Sequence, residues 1–288
     1  MRVVVTGSTG RLGSFVVRAL SEAGHDVIAT DVREPSDPGP VPTRVIDLAV
    51  PGNAAGLMSK VEAVCHLGNL PGFGGRGRAE GYLNNTASNY NVFLAATQAG
   101  VRRIVYASSV QAYGCFGFSS GEGQGFLTPP LYLPIDEDHP LQVTDAYPLS
   151  KACGEWMGES FCRAHRDLTF WSLRYSSITM PEHLRKPQQT PAQGTKHGSR
   201  WLLGSLGTSV HVSDATRATV LALSTDRPGF TAVNIVSSKP RKPWSMEMLT
   251  EAFGGSLTFK SPLQPTDSLI TGERAATLLG FLAETSLN

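Results

Sequence analysis

An apolar strand running without a break into three spaced glycines constrains this chain more than any other feature. Residues 3–13 read Val-Val-Val-Thr-Gly-Ser-Thr-Gly-Arg-Leu-Gly, with glycines at 7, 10 and 13. Leu12, Val16, Ala19, Leu20 and Ala23 then follow at helical spacing up to Gly24. Strand, tight turn and helix N-terminus together make a cradle for a pyrophosphate. Gly7 permits the turn, Gly10 lets backbone N–H groups approach phosphates, and Gly13 allows close helix–strand packing. A second strand is predicted over 26–30, and Asp31 at its end lies 18 positions past Gly13. A carboxylate there accepts hydrogen bonds from an adenosine ribose. Asp31 also repels a 2′-phosphate, so NAD is the expected cofactor; Arg33, two residues on, leaves room for NADP.

Strand–helix alternation continues. Short apolar runs at 43–46, 63–67, 104–107 and 169–174 are separated by helix-compatible stretches near 80–99 and 146–165. Such runs with crossover helices predict a parallel, doubly wound α/β sheet. After residue 175 the pattern breaks up, and 180–209 is rich in Pro, Gln, Gly and basic residues. A helix is predicted from Asp214 as N-cap, a late strand over 231–236, and short helices near 245–253 and 273–279. The expected organisation is a dinucleotide-binding unit over 1–174, rejoined by roughly 210–238. A small interleaved substrate lobe is formed by 175–209 and 239–288. Two loops are long and leave the carboxyl ends of strands, 68–78 and 114–143. Both are read as flaps over a substrate. Arg76 and Arg78 in the first suit an anionic substrate group.

At 288 residues with formal charge +1, the chain has ample core and no bias toward nucleic acid. No apolar run approaches membrane-spanning length, and Met1 leads directly into the first strand. Cys65, Cys115, Cys153 and Cys162 lack Cys-x-x-Cys spacing. They read as reduced structural thiols in a cytoplasm, and no metal is expected.

The chemistry lies downstream. Tyr147-Pro-Leu-Ser-Lys151 puts a phenol and an ammonium on one helical face, and Pro148 is tolerated in a first turn. A phenol titrates near about 10, and a lysine or an oxidised nicotinamide nearby favours its phenolate. Ser108 and Ser109 end a predicted strand at the same sheet edge, where a serine can hold the reacting oxygen.

With these residues the chain resembles the extended short-chain dehydrogenase/reductases, the NAD-dependent epimerase/dehydratase group. The matching pieces are Thr6-Gly-x-x-Gly-x-x-Gly13, Asp31, Asp47-Leu48, His66-Leu67, Asn85, Asn91-Val92, Ser108-Ser109 and Tyr113-Gly114. They continue with Tyr147-x-x-x-Lys151, Leu173-Arg174-Tyr175, His211-Val-x-Asp214, Ser268-Leu-Ile and Ala275-x-x-Leu-Leu-Gly-Phe281. The resemblance implies a Rossmann-type doubly wound sheet with a small C-terminal substrate lobe. It implies Ser109, Tyr147 and Lys151 as catalytic. It implies cofactor contacts from Gly7, Gly10, Arg11, Leu12, Gly13, Asp31, Asp47, Leu48, Leu67, Asn85, Ser108, Tyr147, Lys151 and Tyr175. Asp47 and Leu48 would lie beside adenine. His66 reads as a packed strand residue. The family tendency is a homodimer through helices around 80–99 and 146–165.

Departures narrow the reaction. Val110 and Gln111 stand where the dehydratases carry an Asp-Glu pair, so 4,6-dehydration lacks its acid and base. Arg174-Tyr175-Ser176-Ser177 replaces the epimerases' Arg-Tyr-Phe-Asn. Ser177, His66-Leu-Gly68 and Arg185 are similar to uronate dehydrogenases, although the Ser-Ser-Val-Gln stretch does not copy them. The expected activity is NAD-dependent oxidation or reduction of a sugar or sugar-acid-like substrate, with Ser109, Ser177, Arg76, Arg78 and Arg185 on the substrate side. A nucleotide-sugar epimerase and a non-catalytic dinucleotide sensor are the alternatives.

Overall fold

The computed structural model describes residues 1–72, 77–115, 128–181, 205–255 and 257–285. Its centre is a seven-stranded, all-parallel sheet made of β1 (Arg2–Thr6), β2 (Asp26–Asp31), β3 (Thr43–Val45), β4 (Ala63–His66), β5 (Arg103–Ser109), β6 (Thr169–Tyr175) and a strand near the C-terminus, Gly229–Ile235. From one edge the order runs β3, β2, β1, β4, β5, β6, then that late strand. The order reverses beside β1, so the crevice opens between the carboxyl ends of β1 and β4, where ligands bind in such sheets.

Alternation along the strands decides what each face meets. Val3, Val5, Cys65, Val105, Trp171, Leu173 and Tyr175 face a layer built from α1 (Gly13–Glu22) and a helix at Val212–Ser224. Val4, Val64, Ile104, Tyr106 and Phe170 face the other side, covered by α2 (Arg78–Gln98) and α3 (Ala146–Ala164). Strands buried on both faces need apolar residues at nearly every position, which is why they read as unbroken runs. On the second face α3 comes very close. A Cβ at Gly154 would lie 2.4 Å from the Tyr106 hydroxyl, so only glycine lets α3 carry its first turns onto the carboxyl edge.

The remaining elements are two short strands, β7 (Ser177–Thr179) and β8 (Ser209–His211), paired in parallel. Then come α4 (Val212–Ser224), β9 (Gly229–Ile235), α5 (Met246–Phe253) and α6 (Glu273–Leu279). β7 and β8 lie in a stretch that reads as irregular, because three residues are too few to show a period.

Two expectations are corrected here. Asp214 is not the cap of α4; His211 is, its ring accepting from Ser213 N. The Asp214 carboxylate instead takes Arg217 Nη2 at 2.8 Å and the backbone N–H groups of Glu284 and Thr285 at 3.1 and 2.9 Å. It fastens the C-terminal segment to α4. The long loop after β5 is also not a free flap over its described part. Leu133 and Ile135 are fully buried and bridge to Phe259 and Ile270. With Tyr113, Cys115, Leu206, Trp244, Leu249 and Ile270 they form a third apolar cluster. Residues 116–127 lie outside the described residues. Among the described residues no helix is long and apolar enough to cross a membrane.

Candidate active site

The glycine turn has the geometry of an anion cradle. Gly7 has φ +66°, and a Cβ there would meet Gly68 Cα at 2.7 Å. A Cβ at Gly13 would lie 2.0 Å from the Gly7 carbonyl oxygen, so Gly13 serves the turn itself more than the packing of helix on strand. Leu12, buried, precedes α1 without a side-chain cap, and the helix start sits directly on the turn, with Ser14 N donating to Gly10 O at 3.1 Å. Ser8 Oγ is buried there with no hydrogen-bond partner among the described residues. A cradle too tight for a side chain, an uncapped helix start and an orphaned hydroxyl fit a dinucleotide pyrophosphate. At the end of β2, Asp31 accepts from Thr9 N at 2.9 Å and Thr9 Oγ1 at 2.7 Å, so the carboxylate is anchored to the same turn. Arg33 Nε reaches Thr9 Oγ1 at 3.4 Å. Asp47 is exposed just past β3 with Leu48 buried behind it, and Asn91 fixes the carbonyls of Leu48 and Ala49.

On the α3 side, Asp145 caps the helix by accepting from Ala146 N at 2.7 Å. This sets Tyr147 in the first turn and Lys151 one turn later. Tyr147, half-buried, lies near Ser109 at the end of β5, close enough for the serine to act on the phenol. Burial pushes the Tyr147 phenol up to about 12, with Ser109 acting the other way. Lys151 is buried, donating to Ala107 O at 2.7 Å and Asn69 Oδ1 at 2.8 Å. Its Nζ stands 5.8 Å from the Tyr147 ring centroid. Burial lowers the Lys151 ammonium to about 7, and the Glu155 carboxylate opposes the fall. The structure therefore brings Ser109, Tyr147 and Lys151 into one constellation at the carboxyl edge.

Other expected residues sit differently. Asn85 uses its amide to clamp both main-chain groups of Leu70, at 2.8 and 3.2 Å, and donates to Ser150 Oγ at 3.3 Å. It shapes the loop after β4, whose Leu67 N and Gly68 N are held by Thr6 Oγ1. The Ser108 side chain donates to Glu155 at 2.6 Å, inside the fold. Strand parity turns the Tyr175 side chain to the opposite face, where its hydroxyl pairs with Thr219 at 2.6 Å. Ser177 Oγ meets Ser205 Oγ at 3.1 Å. Arg78 opens α2 with its Nε 3.8 Å from Asp145, an internal partner for a residue expected on the substrate side. Arg11 is exposed beside the turn. Arg76 and Arg185 lie outside the described residues.

Two groups whose partners pattern reasoning did not supply hold the site together. Glu155 and Arg174 form a buried pair, with Arg174 Nη2 to Glu155 Oε2 at 2.7 Å and Nε to Oε1 at 3.0 Å. Ser108 and Ser172 also donate to Glu155. Arg174 Nη1 donates to the Tyr113 hydroxyl at 2.9 Å. The available signal was the i, i+4 spacing of Lys151 and Glu155 on the helix face that carries Gly154. The second group is Asn69 with Asn89, Tyr106 and His66, for which the sequence offers no periodic signal.

Comparisons with known proteins identify the family and the fold. The model of the "NAD dependent epimerase/dehydratase family" matches residues 3–235. A UDP-glucose 4-epimerase of Azospirillum brasilense is 29% identical over 252 residues, covering 77% of this chain and 68% of the relative. A uronate dehydrogenase of Pseudomonas syringae pv. tomato is 26% identical over 245 residues, covering 84% of this chain and 77% of the relative. A short-chain dehydrogenase/reductase superfamily protein from Agrobacterium tumefaciens, solved with bound NAD, superposes with a TM-score of 0.73. That match is at 23% identity over 100% of this chain and 94% of the other, and it shows the fold.

Proposed function

Given that the chain belongs to the NAD dependent epimerase/dehydratase family, we propose that it is an NAD-dependent oxidoreductase acting on a secondary alcohol or ketone of a sugar or sugar acid. The observation that carries this reading is Tyr147 in the first turn of α3 with Lys151 one turn along, its Nζ 5.8 Å from the Tyr147 ring centroid, at the sheet edge where β5 ends in Ser109. Gly7, Gly10, Gly13 and Ser8 would hold the pyrophosphate, Asp31 the adenosine ribose, Asp47 and Leu48 the adenine edge, and Lys151 the second ribose. Bound NAD supplies the hydride acceptor and, when oxidised, a positive ring beside the phenol.

Tyr147 takes the alcohol proton and Ser109 hydrogen-bonds the same oxygen. Because burial holds the Tyr147 phenol high, cationic help is required to make it a base near neutral pH. Lys151 gives that help while its ammonium is charged. Ser177, in β7 and bonded to Ser205 beside Leu206 of the third cluster, would contact the substrate, and that cluster would form the substrate lobe.

The similarity to the Azospirillum epimerase supports a second reading, nucleotide-sugar epimerisation with transient oxidation. A screen of sugar acids, free sugars and nucleotide sugars with NAD or NADP separates the readings. Net NADH accumulation on a sugar or sugar acid is the expected result. Interconversion of a nucleotide sugar without net NADH would favour the epimerase. Preferential NADPH formation would overturn the cofactor assignment. Firm NAD binding without turnover of any of them would leave a sensor.

Leu83 and Tyr90 on α2 and Trp156 on α3 are 63%, 49% and 49% exposed. Large apolar side chains left in water on paired helices are suited to a second copy of this chain. We expect a homodimer in sedimentation, converted to monomer by Trp156→Glu. A parent sedimenting as a monomer at micromolar concentration would reject this interface.

A further inference from the structure

Between the glycine turn and Lys151 runs a polar chain whose donations converge from both ends on Asn89 Oδ1. Thr6, His66 and Tyr106 occupy one row across β1, β4 and β5, so their side chains share the face toward α2. Thr6 Oγ1 lies 2.7 Å from His66 Nδ1 and accepts the N–H groups of Leu67 and Gly68. With its oxygen thus occupied, the threonine proton points to Nδ1. His66 Nε2 then carries the ring proton and donates to Asn89 Oδ1 at 2.9 Å. Burial keeps this imidazole neutral by lowering it to about 3, and Lys151 works in the same direction while the Asn89 bond opposes. Asn69 Nδ2 donates to the same Asn89 oxygen at 2.9 Å, and Asn89 Nδ2 donates to the Tyr106 hydroxyl at 3.2 Å. The Asn69 amide is left with one orientation: its oxygen faces Lys151 Nζ at 2.8 Å, with Tyr106 OH donating to it at 3.4 Å.

We propose that Asn69 is a positioning residue, whose oxygen, oriented through Asn89 and His66 from the glycine turn, fixes the Lys151 ammonium where it meets the cofactor ribose and Tyr147. The inference rests on the reading of Lys151 given above. An ammonium has three N–H donors. Asn69 and Ala107 take two and aim the third. The groups around this ammonium are Asn69 from the loop after β4, His66 on β4, Tyr106 and the Ala107 carbonyl on β5, and Tyr147 and Glu155 on α3. Only Asn69 is a side-chain hydrogen-bond acceptor for it among the described residues. A leucine keeps the shape of Asn69 and deletes that acceptor.

The test is a double-mutant cycle on NAD binding, which needs no substrate. Asn69→Leu in the parent should raise the Kd for NAD about tenfold, as expected for a lost hydrogen bond to a charged group. In a Lys151→Met background the same change should move Kd less than twofold. Asn69→Ala run through the same cycle guards against a misfolded leucine variant, with melting temperatures recorded for all. Equal effects in both backgrounds, or none in the parent, would overturn the proposal while leaving the functional reading intact. A parent that fails to bind NAD, or a Lys151→Met variant that binds as the parent does, would overturn the functional reading and this inference with it.

Discussion

Replacing Tyr147 by Phe is expected to lower kcat by about 10²–10⁴-fold, the range that a positioned general acid or base contributes. NAD affinity should stay within about twofold, because only a hydroxyl is lost and the ring remains against Lys151. In the parent, oxidation should speed up as pH rises toward the phenol's titration in the complex, over the range in which the Lys151 ammonium keeps its charge. The reason is that burial holds the proton on Tyr147, and the unprotonated fraction grows with pH. That limb should vanish in the Phe variant. Steady-state kinetics on the best substrate from the screen, with NAD binding measured in parallel, checks both parts. A Phe variant with parental kcat would sink the proton-transfer assignment.

Removing Glu155 should cost more stability than any other single change near the site. Glu155→Ala strands the Arg174 guanidinium and leaves Ser108 and Ser172 without their acceptor, all inside the fold. Breaking a buried pair from one side costs about 3–5 kcal/mol, because the remaining charge is uncompensated. For a chain of this length that lowers Tm by roughly 5–10 °C. Replacing both partners by Met should be milder than the single change, since no buried charge is then left over. Calorimetry of the three proteins gives the comparison. A double variant melting below Glu155→Ala would show that the pair contributes net stability of its own.

The reach of sequence reading differed from element to element for physical reasons. The glycine turn, the parallel strands and α3 with Tyr147 and Lys151 were readable because each depends on a local pattern. Their bounds differ from expectation by one or two residues at most ends, as with α2 at Arg78–Gln98 against an expected 80–99. Asp214 misled because its side chain suits an N-cap, whereas the partner that claims it arrives from residues 284 and 285, seventy positions later. At Tyr175 a family position says nothing of parity, and parity sends the side chain to the core, leaving only its main chain at the carboxyl edge.

The order of strands and helices, the cradle at Gly7–Gly13 and the pairing of a phenol with an ammonium are all legible in local pattern. Each follows from spacing within one segment and so precedes any tertiary contact. The environment that gives these groups their chemistry arises from the packing of distant segments, and the fold supplied it. It put Tyr147 against Ser109 and paired Glu155 with Arg174 across α3 and β6. It also turned the Asn69 oxygen toward Lys151 through residues drawn from β1, β4, α2 and β5. Burial, dielectric and hydrogen-bond direction belong to the assembled layers, and no single segment carries them.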